Sequence, residues 1–248
     1  MKITPNKIYH EDCLETLKKI EDNSIDCVIT SPPYNMNLRI RNGEYCSRQI
    51  VKEISTKYAD FDDNLPIDEY NKFHSKVLSE LLRVSDLIFY NIQIVTGSKR
   101  SVFKMIGDFS ENLKEIIIWD KIHGQPAMQK QVLNRRSELI LVFENDYPIS
   151  RQFRKRGRFE RGTLDDVWQI KRERIKGQNH GAIFPQELVK KIIENFTNEG
   201  DLIYDPFIGT GTTALVAKKM NRNFLGSEIS KDYFDLSNKR IQEEDSLF

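Results

Sequence analysis

The chain has 248 residues, 39% of them hydrophobic and 30% charged, with a net charge of +1. Fourteen Phe, nine Tyr and two Trp need an interior, which excludes a disordered chain, and no run of about 18 apolar residues exists to cross a membrane. The opening MKITPNKIYHEDCLETLKKI has no apolar secretory stretch, and Cys13, Cys27 and Cys46 show no metal-ligand spacing, so one domain in a reducing cytoplasm is expected.

Apolar positions 13, 14, 17 and 20 predict a short helix over Cys13 to Ile20. Ser24 to Thr30 ends in a β-branched run, a buried strand that Ser31-Pro32-Pro33 stops. Residues 35–64 are polar and aperiodic and are expected to form a long, mobile loop. Tyr70, Phe73, Val77, Leu81 and Val84 then mark one face of an amphipathic helix. Strands are predicted at 86–92, 114–119, 137–143 and 166–170, and helices at 98–107 and 185–196.

Residues 151–176 carry ten basic and four acidic side chains, a net +6 against −5 for the rest of the chain. Arg151, Arg154, Lys155, Arg156, Arg158 and Arg161 are interleaved with two Phe and two Gly. Such a run suits a phosphate-backbone contact, the alternative being a solvated surface loop.

The last quarter reads strand (201–205), glycine loop, helix (212–220), strand (223–229), helix (232–244). This is a βαβ unit, right-handed by rule. Alternating strands and helices along the chain predict an open, mostly parallel α/β sheet.

Two motifs carry chemistry. In DPFIGTGTT, glycines between strand and helix let a ligand approach the backbone, and the helix N–H groups point at it. A third glycine and a following lysine are both missing, which excludes the dinucleotide fingerprint and the Walker loop. Glu228 ends the next strand, where an acid can take two ribose hydroxyls. Together they fit an adenosine ligand without pyrophosphate, and S-adenosylmethionine is the obvious one. The second motif, TSPPYN, follows a buried strand. Two prolines fix the backbone and remove two donors, leaving a rigid rim of carbonyls with Ser31 on one side and Tyr34 on the other. That rim suits a planar ring with an exocyclic amino group; taken alone, it also reads as a strand terminator with a buried Tyr.

The pair of motifs resembles the DNA amino-methyltransferases, which methylate N4 of cytosine or N6 of adenine. Their (D/N/S)PP(Y/F) signature corresponds to Ser31, Pro32, Pro33 and Tyr34, and their F-x-G-x-G loop to Phe207 through Gly211. The tetrapeptide comes first and the glycine loop last, similar to the permuted β-type order. HEDCLETLKKI is similar to that type's G-D-C-L-E segment with Glu11 for Gly. YADFDD at 58–63, IIIWDK at 116–121, RRSELILVF at 135–143, DVWQI at 166–170 and HGAIFPQELVKKII at 180–193 also resemble family segments. Gly181 departs from the usual Pro, so His180 is carried over only weakly.

The resemblance implies a doubly wound, Rossmann-like methyltransferase sheet with helices on both faces. It implies cofactor binding by Asp12, Cys13, Asp205, Pro206, Phe207, Gly209, Gly211, Thr212, Thr213 and Glu228, and catalysis at Ser31, Pro32, Pro33 and Tyr34. Target recognition is expected in insertions around 36–57, 121–136 and 144–165 of a single catalytic domain. The expected partners are double-stranded DNA and a companion restriction endonuclease, with a monomer or homodimer as the working unit in a prokaryote or phage.

Three rival functions fit the sequence less well. A C5-cytosine methyltransferase needs a cysteine nucleophile, typically after Pro, and no cysteine here follows one. An RNA or protein-glutamine methyltransferase can carry N-P-P-Y, but Ser31 and the permuted order argue against it. A non-catalytic nucleic-acid binder would leave the glycine loop, Glu228 and SPPY unexplained. Direct transfer to the amino group of a flipped base is expected, with Ser31 tilting the target toward N4-cytosine. No metal is expected, since His10, His74, His123 and His180 are scattered.

Overall fold

The computed structural model describes residues 3–35, 38–41, 44–47, 65–95, 97–125, 130–146, 148–173 and 184–245. In chain order the elements are β1 (Lys7–His10), α1 (Cys13–Leu17), β2 (Cys27–Thr30), β3 (Leu38–Arg41), β4 (Glu44–Ser47) and α2 (Ile67–Val84). Then come β5 (Leu87–Ile92), α3 (Lys99–Asp108), β6 (Leu113–Gln125), β7 (Arg135–Glu144) and β8 (Val167–Gln169). The βαβ end follows as α4 (Gln186–Phe196), β9 (Leu202–Asp205), α5 (Thr212–Lys219), β10 (Asn223–Glu228) and α6 (Lys231–Asp245).

Eight strands form one sheet in the order β1-β10-β9-β2-β5-β7-β6-β8. All are parallel except β7, which runs antiparallel to β5 and β6. The pleat sends alternate residues to opposite faces, and both faces are apolar because helices cover both. Cys27 and Ile29 of β2 enter the cluster made with α4, α5 and α6, where Leu188, Val189, Ile192, Ile193 and Phe196 form the buried stripe of α4. Val28 enters the opposite cluster, with Leu17 of α1, Val77, Leu81 and Val84 of α2 and Met105 of α3. The expected Rossmann-like methyltransferase sheet is therefore present.

Two predicted elements differ, and one strand was not predicted. The predicted loop at 35–64 contains the antiparallel pair β3–β4, while its other residues beyond Asn35, including 58–63, lie outside those described. Lys7–His10 is a strand because it pairs along β10, a non-local contact that a four-residue run cannot announce. β6 runs on to Gln125, twice the predicted length, because β7 starts early and pairs with it. Ile92 of β5 is opposite Leu139, so Arg135–Glu138 overhang the end of β5 by four residues. At about 3.3 Å per residue the hairpin root rises about 13 Å beyond the carboxyl edge.

The basic segment lies at the other edge of the sheet. β7 ends at the amino side of the parallel strands, and residues 148–164 continue along that side. Arg156 pairs with Asp26 at 2.7 Å and Asp201 at 3.3 Å, the residues that precede β2 and β9. Lys155 pairs with Asp86, which precedes β5, and with Asp146. Arg158 donates from its backbone to Asn195 and from its side chain to Asn198, both at 2.8 Å. Arg151 lies 3.6 Å from Glu115, and Arg154 and Arg161 are exposed along the same strap. Phe153 and Phe159 anchor it on Phe196, with ring centroids 5.0 and 5.4 Å away. Arg151, Lys155, Arg156 and Arg158 thus meet carboxylates or a helix end at the foot of the sheet, away from the crevice that holds SPPY.

Candidate active site

In an open α/β sheet the ligand crevice lies at the carboxyl ends of the strands where the chain's winding reverses. Here that point is between β9, which leads outward to β10 and β1, and β2, which leads outward to β5. The two motifs follow these two strands. A crevice of about 1030 Å³, open mouth included, lies there and is lined by both of them, by Asp12 and Cys13, and by Phe73 and Phe184.

The strand ends are bolted together. Asp205 Oδ1 accepts from Thr30 Oγ1 at 2.7 Å and from the Phe207 amide at 3.1 Å, and Oδ2 accepts from Thr213 Oγ1 at 2.7 Å. Burial raises the Asp205 carboxyl to about 6, against the pull of those three donors. Asp205 thus fixes β2, the loop and α5 to one another.

The glycine loop needs its glycines. Gly209 and Gly211 have φ of 52° and 81°, a region that L side chains rarely adopt. A Cβ on Gly211 would sit 2.8 Å from the Ser237 Cβ. Gly211 itself caps α5. Thr212 Oγ1 is buried with no hydrogen-bond partner among the described residues, at the mouth of that helix. Glu228 Oε2 accepts from the Gly209 amide at 2.8 Å and Oε1 from the Ser230 amide at 2.9 Å. Each oxygen keeps a lone pair for a hydroxyl donor. Burial pushes the Glu228 carboxyl up. Asp12 caps α1 by accepting from the Leu14 amide at 2.8 Å, and burial pushes the Cys13 thiol up, so it is an inert lining group.

Across the crevice, the SPPY turn is held from below. Tyr70 Oη donates to the Pro33 carbonyl at 2.8 Å, which holds the turn against α2. His74, beside Tyr70, is kept neutral by burial, down to about 3. Tyr34 is only 5% exposed, one side facing the crevice and the rest packed in the core. Its hydroxyl donates to Glu138 Oε2 at 2.9 Å and lies 2.7 Å from Ser31 Oγ. Asn91 Nδ2 donates at 2.7 Å to both Tyr34 Oη and Glu138 Oε2, and Lys121 Nζ donates to Glu138 Oε1, also at 2.7 Å.

Of the expected cofactor and catalytic residues, all but Pro32 and Gly211 line this one crevice. Three buried polar residues beside them, Asn91, Lys121 and Glu138, escape the sequence reading. The available signal is polarity where burial is expected: Glu138 opens an apolar strand and Lys121 closes IIIWDK. His180 lies outside the described residues. No described group of three or more His, Cys, Asp or Glu is placed to hold a metal ion, and no described helix is long and apolar enough to cross a membrane.

The DNA methylase family model N6_N4_Mtase matches residues 25–239. The type II methyltransferase M.BglII of Bacillus subtilis is 29% identical over 94% of this chain and 68% of its own length. M.HinfI of Haemophilus influenzae is 28% identical over 96% and 68%. Among solved structures, the cytosine-N4-specific PvuII DNA methyltransferase superposes with a TM-score of 0.71 at 20% identity, over 96% of this chain and 87% of its own. The M1.HpyAVI complex with S-adenosylmethionine gives 0.62 at 21%, over 95% and 98%. With the family model spanning most of its length, the chain belongs to the DNA methylases, S-adenosylmethionine-dependent enzymes that methylate base amino groups.

Proposed function

We propose that the protein methylates the exocyclic amino group of a base flipped from duplex DNA, cytosine N4 in preference to adenine N6, as the modification partner of a restriction endonuclease. The observation that carries this is the shared crevice: Thr30 and Asp205 hold the SPPY turn and the glycine loop 2.7 Å apart at their roots.

The residues present fit the methyl donor. Glu228 offers two acceptors for ribose hydroxyls, Thr212 Oγ1 is an unmatched buried polar atom, and Gly209, in left-handed backbone, lines the crevice without a side chain. S-adenosylmethionine supplies an electrophilic methyl group when bound. The protein's own task is to present the amino nitrogen, whose lone pair is delocalised into the ring. Ser31 Oγ and the Pro32 carbonyl accept the two amino hydrogens, which favours a pyramidal nitrogen with its lone pair aimed at the methyl. Tyr34 packs against the ring. The preference for cytosine rests on Ser31 at the first position of the tetrapeptide.

Duplex DNA meets the carboxyl edge. Lys130 and Arg135 lie on the β6–β7 connection with Leu133, which is 90% exposed, and Lys171 and Arg172 leave β8 on the same side, while Arg136 pairs with Asp120. This hairpin, within 121–136, replaces the strap at 151–161 as the proposed phosphate contact. A monomer or homodimer in a prokaryotic cytoplasm is the proposed working unit.

The test is to express the protein in a host lacking DNA methylation and sequence its DNA with modification calling. N4-methylcytosine in one short motif is expected. Product at C5 of cytosine, or no modified base, overturns the reading.

A further inference from the structure

Beneath the catalytic turn lies a buried polar chain that amino methylation as described leaves without a role. The Lys121 side chain has no exposed surface, that of Glu138 is 9% exposed, and Asn91 is 1% exposed. Glu138 sits where the overhanging hairpin leaves the sheet and reaches across to Tyr34.

Counting hydrogens fixes the direction of every bond in the chain. Tyr34 Oη has one hydrogen, and a carboxylate only accepts, so that hydrogen goes to Glu138 Oε2. Asn91 Nδ2 has two, and its two 2.7 Å contacts direct them at Tyr34 Oη and Glu138 Oε2. Its contact to Ser31 Oγ is longer, at 3.3 Å. The 2.7 Å contact between Ser31 Oγ and Tyr34 Oη then needs its hydrogen from Ser31. With that hydrogen turned inward, Ser31 Oγ shows the crevice only lone pairs. An incoming amino group brings hydrogens, so an acceptor is what it must meet. A serine left free to rotate would offer its own hydrogen part of the time.

We propose that Glu138, held by Lys121, is a positioning residue that acts through Tyr34 to make Ser31 a fixed acceptor for the amino group of the target base. This rests on the amino-methylation reading. Glu138→Gln should break the arrangement, because the Lys121 ammonium retains the single remaining oxygen and the new amide NH₂ faces Tyr34. The Tyr34 hydrogen then turns to Ser31, and the Ser31 hydrogen turns out into the crevice.

The experiment compares single-turnover methyl transfer, DNA affinity, S-adenosylmethionine affinity and melting temperature for the wild type, Glu138→Gln, Tyr34→Phe and Ser31→Ala, with Glu138→Gln and Tyr34→Phe each also placed in the Ser31→Ala background. Glu138→Gln should slow transfer about a hundredfold with both affinities unchanged. In the Ser31→Ala background it should cost almost nothing further, because its effect passes through Ser31. Tyr34→Phe leaves the Lys121–Glu138 pair untouched and should also show a smaller cost without Ser31. It therefore carries the test if Glu138→Gln misfolds. Wild-type transfer in Glu138→Gln, or equal losses with and without Ser31, overturns the inference. A wild-type enzyme that leaves amino groups unmethylated overturns the amino-methylation reading instead.

Discussion

Thr30 Oγ1 donates to Asp205 Oδ1 at 2.7 Å across 175 residues of chain. The bond joins the ends of two neighbouring parallel strands, one leading into SPPY and the other into the glycine loop. Both partners are buried, so the contact is shielded from water and sets the spacing of the two half-sites. The permuted order of motifs therefore has no geometric consequence: what matters is that both strands end at one edge.

Asp205 gives this joint a pH signature. Its carboxyl is raised from 3.8 to about 6 by burial, so the native state holds the proton more tightly than the unfolded chain. The stability it adds is complete below about pH 4 and is lost as pH rises through 6. His74, lowered from 6.5 to about 3, acts in the opposite sense over an overlapping window. The informative quantity is thus the difference between Asp205→Asn and wild type in denaturant unfolding. Relative to wild type, the variant should gain up to about 3 kcal/mol between pH 4 and 6 and change little above. A pH-independent difference would show that Asp205 does not titrate in this window.

Glu228→Ala and Gly211→Ala should each weaken S-adenosylmethionine binding and spare DNA affinity. The first removes the paired acceptors, and the second forces a side chain into left-handed backbone against Ser237. Calorimetric titration with the cofactor checks both. Unchanged affinity in either variant contradicts the assignment of that loop.

Much of this was readable from local pattern. The DPFIGTGTT loop, the stripes of α2 and α4, and SPPY all announce themselves within a dozen residues, because their periodicity or glycine placement is a local requirement. The rest depends on distant pairing. Lys7–His10 becomes a strand only beside β10, and the overhang of β7 follows from its register with β5. The ion pairs of the strap are hidden for the same reason. Net charge is visible in sequence, but its answering acids, Asp26, Asp86 and Asp201, are scattered over 176 positions and gather only where parallel strands start together.

The two basic regions should therefore separate by experiment. Arg156→Ala leaves Asp26 and Asp201 without their largely buried cation and should lower stability by roughly 2–3 kcal/mol, with the salt dependence of DNA binding intact. Replacing Arg135, Lys171 and Arg172 with Ala should spare the melting temperature and flatten the log–log salt slope by about 0.9 for each phosphate no longer neutralised. A flattened slope from Arg156→Ala, with no change from the triple variant, would return the DNA contact to the strap.

Tyr34 and Ser31 test the chemistry directly, and burial changes what each substitution costs. Ser31→Ala swaps a small strand-end residue for a smaller one and should melt near wild type while losing most methyl transfer. Tyr34 is 5% exposed and packed within the α1–α3 cluster, so Tyr34→Ala opens a cavity and should cost about 3 kcal/mol or more of stability. Its activity must be read well below its melting temperature. There it lacks both the ring that packs on the base, worth about 1–3 kcal/mol by analogy with single-strand stacking, and the hydroxyl that orients Ser31. Tyr34→Phe keeps the ring and the packing and loses only the hydroxyl. Transfer rates should therefore fall in the order wild type, Tyr34→Phe, Tyr34→Ala, with cofactor affinity unchanged in all three. If folded Tyr34→Ala methylates DNA at the wild-type rate, the turn merely ends β2, and the methylated base is held by some other part of the crevice.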